Sequence, residues 1–149
     1  MELMEAINRR RTIHSFKPIK VSDEKIIKAI NAANNAPCHR LSFPWRFNIV
    51  SDSLRNIWIQ EISNIDLGNN GMSSGEDPYN KFKNPSHLII VTQNLNKDPI
   101  IYKEDYAACS CAIQNLMLSL TEDGLGTKWS TGKKTRSEIT YKLTGLNKE

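Results

Sequence analysis

The chain has 149 residues, 39% of them hydrophobic and 24% charged, which is ordinary for one globular domain. These values exclude a collagen-like or intrinsically disordered chain, and no apolar run approaches the ~20 residues of a membrane-spanning helix. The net charge of +4 is local: residues 1–50 hold 9 Lys/Arg against 4 Asp/Glu, whereas residues 51–149 hold 11 against 12.

In chain order, a first helix is expected from Glu2 to about Arg10, with Leu3, Ala6 and Ile7 on one face. A second begins after Ser22, whose hydroxyl can cap backbone N–H groups, and Asp23 and Glu24 suit the positive end of the helix dipole. Ile26, Ile27, Ile30 and Ala33 form its apolar stripe, and Pro37 prevents continuation. Phe47 to Val50 reads as a short strand. Ser51-Asp52-Ser53 then caps a helix in which Leu54, Ile57, Trp58 and Ile62 recur at helical spacing. Leu67 to Pro78, rich in Gly, Asn and Ser, reads as a mobile loop.

Leu88 to Thr92 is a β-branched apolar run and hence a buried strand, followed by a turn over Asn94–Pro99. The longest helix is expected over Glu104–Asp123. Its run of small residues, Ala107 to Ala112, lets another helix approach closely, and Gly124 fits its C-terminal cap. Lys128-Trp129-Ser130 is a short strand or a loop, and Ser137 to Leu143 is a last short helix. Helices alternating with strands, with no repeat and no linker, predict a single α+β or α/β domain.

Cys38, Cys109 and Cys111 cannot all pair, and no His or Cys cluster completes a metal site. The acidic start Met1-Glu2-Leu3-Met4-Glu5 lacks the basic and apolar regions of a signal peptide, so a cytoplasmic protein is expected. Three segments could carry chemistry. Arg10-Arg11-Thr12 offers planar paired donors and a hydroxyl suited to a phosphate, or else is a solvated cationic helix end. The loop from Ala36 to Phe47 holds His39 between two prolines and two aromatics. Gly124 to Gly132 combines glycines, where backbone can approach a ligand, with the aromatic face of Trp129. It matches neither a phosphate-binding loop nor a dinucleotide fingerprint.

Together and in this order these segments resemble the nitroreductase family of FMN-dependent oxidoreductases. Arg10-Arg11-Thr12-Ile13-His14-Ser15-Phe16 is similar to its Arg-Arg-Ser-x-Arg-x-Phe opening, and Val21 with the following helix matches the next element. The loop from Ala36-Pro37 to Pro44-Trp45-Arg46-Phe47 resembles its Ala-Pro-…-Gln-Pro-Trp-x-Phe loop, in the form that carries His after Ala-Pro-x in a compact subgroup. Asp105-Tyr106-Ala107-Ala108 through Gln114-Asn115-Leu116, then Gly124-Leu125-Gly126 and Trp129-Ser130-Thr131-Gly132, resemble the central helix and tryptophan turn of that subgroup.

The resemblance implies an α+β fold, a mixed and mainly antiparallel sheet flanked by helices, in a homodimer with FMN at the interface and NADH or NADPH as donor. Carried over by position, Arg10, Arg11 and Thr12 would hold the FMN phosphate and ribityl chain. His39 and Asn35 would reach the partner subunit's cofactor, and Trp129, Ser130 and Thr131 would close the pocket. His14 stands where the family often has Arg or Lys near the pyrimidine end of the flavin. No residue is expected to be catalytic in its own right, because the hydride chemistry belongs to the cofactor.

Two departures stand out. Phe43 replaces the usual Gln, and family members continue past the position of Glu149 with a further strand and tail, so a sheet edge is expected to be left open. The implied function is hydride transfer from NAD(P)H through flavin to a nitro-aromatic or quinone-like small-molecule acceptor. The alternative is a flavin-binding module of the same fold without turnover. A nucleic-acid binder built on Arg9-Arg10-Arg11 and Trp45 would need more basic residues on one face, and neither nucleic acid nor membrane is expected as a partner.

Overall fold

The computed structural model describes residues 1–67, 82–132 and 134–145. Among them are the helices α1 (Leu3–Arg9), α2 (Asp23–Ala33), α3 (Asp52–Leu67), α4 (Pro99–Glu122) and α5 (Glu138–Thr144). Two strands, β1 (Trp45–Ile49) and β2 (Ile89–Gln93), form a sheet. Val50 N donates to Leu88 O at 2.9 Å and Asn94 N to Pro44 O at 2.8 Å. Rising numbers on one strand thus meet falling numbers on the other, so the pair is antiparallel. The expected loop over Leu67–Pro78 lies outside the described residues beyond Leu67.

The chain divides into two compact units. The first comprises Met1–Ile13, Val21–Phe47 and Val91–Lys128. Its core is the packing of α2 on α4, with Ile26, Ala29 and Ala33 buried on α2 and Ala108, Cys109, Ala112, Leu116, Met117 and Leu120 buried on α4. Small side chains on both helices allow this close approach. The small-residue run of α4 is therefore used in part within the chain, while Ala107 and Cys111 stay exposed. The stripe of α2 is rotated from the expected one, because Ile27 is 53% exposed and Ala29 is buried.

Helix α4 begins five residues before the expected Glu104. Asp98 is its N-cap and accepts from the N–H groups of Ile100 and Ile101, with Pro99 in the first turn. This is a strong start signal, because proline suits a position whose N–H has no helical partner. At the other end Asp123 is the C-cap. Gly124, at φ 75, lets Leu125 N reach Leu120 O at 2.8 Å and Gly124 N reach Thr121 O at 3.0 Å, a Schellman closure that needs the left-handed residue.

The second unit comprises His14–Lys20, Asn48–Ile90 and Trp129–Glu149. Its core gathers Trp58 and Ile59 with Phe82, Leu88 and Ile139. Trp58 meets Phe82 edge-on at 5.1 Å and donates from Nε1 to Thr140 Oγ1 at 2.7 Å. The buried face of α3 is Arg55, Trp58 and Ile59, while Leu54 and Ile57 of the expected stripe are exposed. Arg55 enters this core because its guanidinium donates to the carbonyls of Lys83, Pro85 and Ser86. Burial holds its pKa below the usual arginine value, partly offset by Asp52.

Ser22 occupies the N-cap of α2 in extended backbone but makes no side-chain cap hydrogen bond. No described helix is long and apolar enough to cross a membrane.

Candidate functional site

The three consecutive arginines leave α1 in three different situations. Arg9, on the last turn, pairs with Glu5 at 3.1 Å on the exposed face, one helical turn apart. Arg10 is the C-cap, its backbone N–H donating to Ala6 O while its own ψ of 125 turns the chain out of the helix. Arg11 folds back, and its Nη1 donates to Asn8 O at 2.7 Å and Arg10 O at 2.8 Å, satisfying carbonyls that the helix end leaves open. Arg10 is half-buried, and no ion pair or hydrogen bond engages its guanidinium among the described residues.

Beyond the bend the chain runs extended. Thr12 bridges in parallel with Thr127, and Ile13 N donates to Thr127 O at 2.9 Å. The neighbouring Gly126 permits this approach, since a Cβ there would stand 2.6 Å from Ile13 Cγ1. Thr12 is exposed, whereas the Thr127 hydroxyl is buried and has no hydrogen-bond partner among the described residues. The bend thus offers an uncommitted guanidinium and the exposed Thr12 hydroxyl, a donor set that fits a phosphate ester.

The histidine loop belongs to the same unit. His39 is exposed in a 3-10 turn, His39–Leu41. Arg40, Leu41 and Phe43 all have positive φ, at 53, 54 and 40. For residues with a Cβ such backbone costs about 1–3 kcal/mol each and persists only where the surroundings over-determine it. Here they do. Trp45 Nε1 donates to Asn34 Oδ1 at 2.9 Å, Arg46 Nη1 donates to Phe43 O and Trp45 O, and Pro44 O accepts from Asn94 N. Phe43 stands edge-on to Trp45 at 5.9 Å. Ser42 Oγ donates to Asp105 Oδ1 at 3.0 Å. Asn35, by contrast, donates from Nδ2 to Asn31 O of its own helix.

Sequence reasoning gave no role to Asp105, Ser42 or Asn34, which hold this loop. A signal was available for Asp105: it continues the buried stripe of Cys109, Ala112, Leu116 and Leu120 at helical spacing, so a carboxylate was due inside. The Cys109 thiol, one turn on, is pushed up to about 11 by burial and by the Asp105 charge. An open hollow of about 370 Å³ is lined by Ile30, Asn34, Phe43, Trp45, Arg46 and Phe47; neither the arginine bend nor His39 lines it.

His14 and Trp129, Ser130 and Thr131 belong to the second unit. Trp129 is 42% exposed, and His14, Ser130 and Thr131 are also exposed. Among the described residues no group of three or more His, Cys, Asp or Glu could hold a metal ion.

A family model described as Nitroreductase family matches residues 7–149. The chain belongs to the nitroreductase family. It is 30% identical over 149 residues to the protein named "Putative NAD(P)H nitroreductase YfhC" of Bacillus subtilis (strain 168), covering 97% of this chain and 76% of that relative. The fold is shared with an FMN- and NADPH-dependent nitroreductase, NfnB, of a Sphigopyxis strain, at TM-score 0.81 and 15% identity, over 99% of this chain and 83% of that one. It is also shared with a nitroreductase-like protein of Desulfovibrio desulfuricans solved in complex with FMN, at TM-score 0.73 and 21% identity, over 99% and 78% of the two chains. The nitroreductase architecture, helices around a mainly antiparallel sheet, is thus the fold of this chain.

Proposed function

We propose that this nitroreductase-family chain is an oxidoreductase that binds FMN and uses NADH or NADPH to reduce nitro-aromatic or quinone-like small molecules. The observation that carries the reading is Arg10, a half-buried residue whose guanidinium is uncommitted among the described residues, at a bend pinned beside Thr127. A guanidinium with no ion pair or hydrogen bond among the described residues keeps its planar paired donors available for an anion.

In this reading Arg10 and the free donors of Arg11 hold the cofactor phosphate, and the Thr12 hydroxyl adds a shorter hydrogen bond. Bound FMN supplies two-electron transfer between a nicotinamide and a second substrate. The protein supplies position and shelter from water. His39 and Asn35 reach the partner subunit's cofactor in a homodimer, and Trp129, Ser130 and Thr131 close the pocket. His14 stands near the pyrimidine end, where a cation would favour the reduced, anionic flavin; a neutral imidazole does so less well at neutral pH. Residues 1–149 act as one FMN-binding domain, and the working compartment is the cytoplasm.

The test is the absorption spectrum of the protein as purified, followed by NADH and NADPH oxidation with a nitro-aromatic acceptor. A yellow protein that oxidises either donor is expected. A colourless protein that takes up no added FMN would sink the reading. A yellow one without turnover would reduce it to flavin binding.

A further inference from the structure

Asp105 is a carboxylate with 4% exposure, on α4 between the buried core of the first unit and the histidine loop. Removing a carboxylate from water is costly unless charge-assisted hydrogen bonds replace the lost hydration. Its donor is Ser42 Oγ at 3.0 Å, across 63 residues of chain. Ser42 interrupts the strained segment: its own φ is −68, while Arg40 and Leu41 before it and Phe43 after it are at positive φ. The anchors at Pro44 and Trp45 act beyond the strain, and Arg46 grips its last residue through Phe43 O. Among the described residues, Ser42–Asp105 is the side-chain hydrogen bond that ties the His39–Leu41 turn to α4.

We propose that Asp105 is a positioning residue: through Ser42 it holds the His39–Phe43 segment in the strained backbone that presents His39 to the flavin site. The proposal rests on the FMN reading above. A buried charge is suited to this task, because a hydrogen bond to an ionised acceptor is stronger than a neutral one. It can therefore hold a conformation that the turn residues do not favour by themselves.

The test uses the full chain in two measurements. Amide hydrogen exchange over residues 39–43 is followed without added flavin, and FMN affinity is then measured by flavin fluorescence titration. Ser42→Ala is expected to speed exchange in the turn about tenfold or more and to weaken FMN binding by a similar factor, the loss of one charge-assisted hydrogen bond. The core amides of α4 should keep wild-type exchange. Ser42→Thr, which keeps the hydroxyl in helical backbone, should restore both readings. Asp105→Leu should resemble Ser42→Ala, and the double variant should be no worse than either single one, as two halves of one contact require. Wild-type exchange in Ser42→Ala would overturn the proposal, and so would additive effects in the double variant. Faster exchange with unchanged FMN affinity would also overturn it, leaving the anchor purely architectural. Failure of the unaltered chain to bind FMN would remove the positioning role together with the flavin reading, and this is recognised without any variant.

Discussion

Two cysteines on α4 show how much a single residue's behaviour depends on the side of the helix it occupies. Cys109 is buried and Cys111 exposed, so a thiol reagent should label Cys111 and leave Cys109 intact in the folded protein, as peptide mass spectrometry would read. The Cys109 thiol is raised from 9.0 to about 11, by burial first and by Asp105 second. In the unfolded chain it ionises near the ordinary value, while the folded protein keeps the proton. Stability contributed by the neutral thiol is therefore complete below about pH 9 and is lost as pH climbs towards 11. Cys109→Ala should flatten that alkaline fall, seen in urea midpoints at about pH 8 and about pH 10. Residue-scale position also separates the arginines. Arg10→Ala should cost about 1.5–3 kcal/mol of FMN affinity, a charge-assisted contact, whereas Arg9→Ala, which loses an exposed pair with Glu5, should leave it unchanged. Equal titration curves for Arg10→Ala and the parent would withdraw Arg10 from the site. The three arginines were legible as a cluster; their separate roles were not. Which guanidinium folds back on a helix end depends on the exit angle of the chain, and composition does not encode that angle.

Elements were legible where local chemistry and burial agree. Helices α1 to α5 were expected, and both strands fall within two residues of their expected spans. The largest difference is the start of α4, where Asp98-Pro99, expected as the end of a turn, instead caps and opens the helix. Asp98→Ala should cost about 1 kcal/mol through loss of the cap, measured by urea unfolding. Packing between segments sets a second constraint. Gly126→Ala places a methyl 2.6 Å from Ile13 Cγ1, beside the stiff branch point of a β-branched side chain, and should destabilise by about 1–3 kcal/mol. Pairing it with Ile13→Ala should relieve the overlap, so the double variant should lose less than the sum of the two. The buried faces of α2 and α3 were read in part: Ile26, Ala33 and Trp58 are buried as expected, but Ile27, Leu54 and Ile57 are exposed. Isoleucine and leucine occur on both sides of these helices, and hydrophobicity alone does not say which side meets a neighbour.

For the whole molecule the FMN reading carries one assembly prediction. If His39 and Asn35 act across a two-fold axis, the FMN-loaded protein should sediment as a dimer; a flavin-saturated monomer would contradict that arrangement. The small-residue run of α4, which lets another helix approach closely, is already used in part inside the chain, where Ala108 and Ala112 are buried in the unit that packs α2 on α4. The sequence by itself determined the order of the elements and, through the order of its motifs, the family. Each of these depends on neighbours a few residues apart. Only the tertiary structure decided that Asp105 is buried and bonded to Ser42, that among the described residues Arg10 is left without a partner while Arg9 and Arg11 are engaged, and that Arg40, Leu41 and Phe43 sit at positive φ. Those outcomes are set by contacts such as the 63-residue span from Ser42 to Asp105. Strain in a loop survives because distant groups hold it, and local sequence carries no record of which distant groups will arrive.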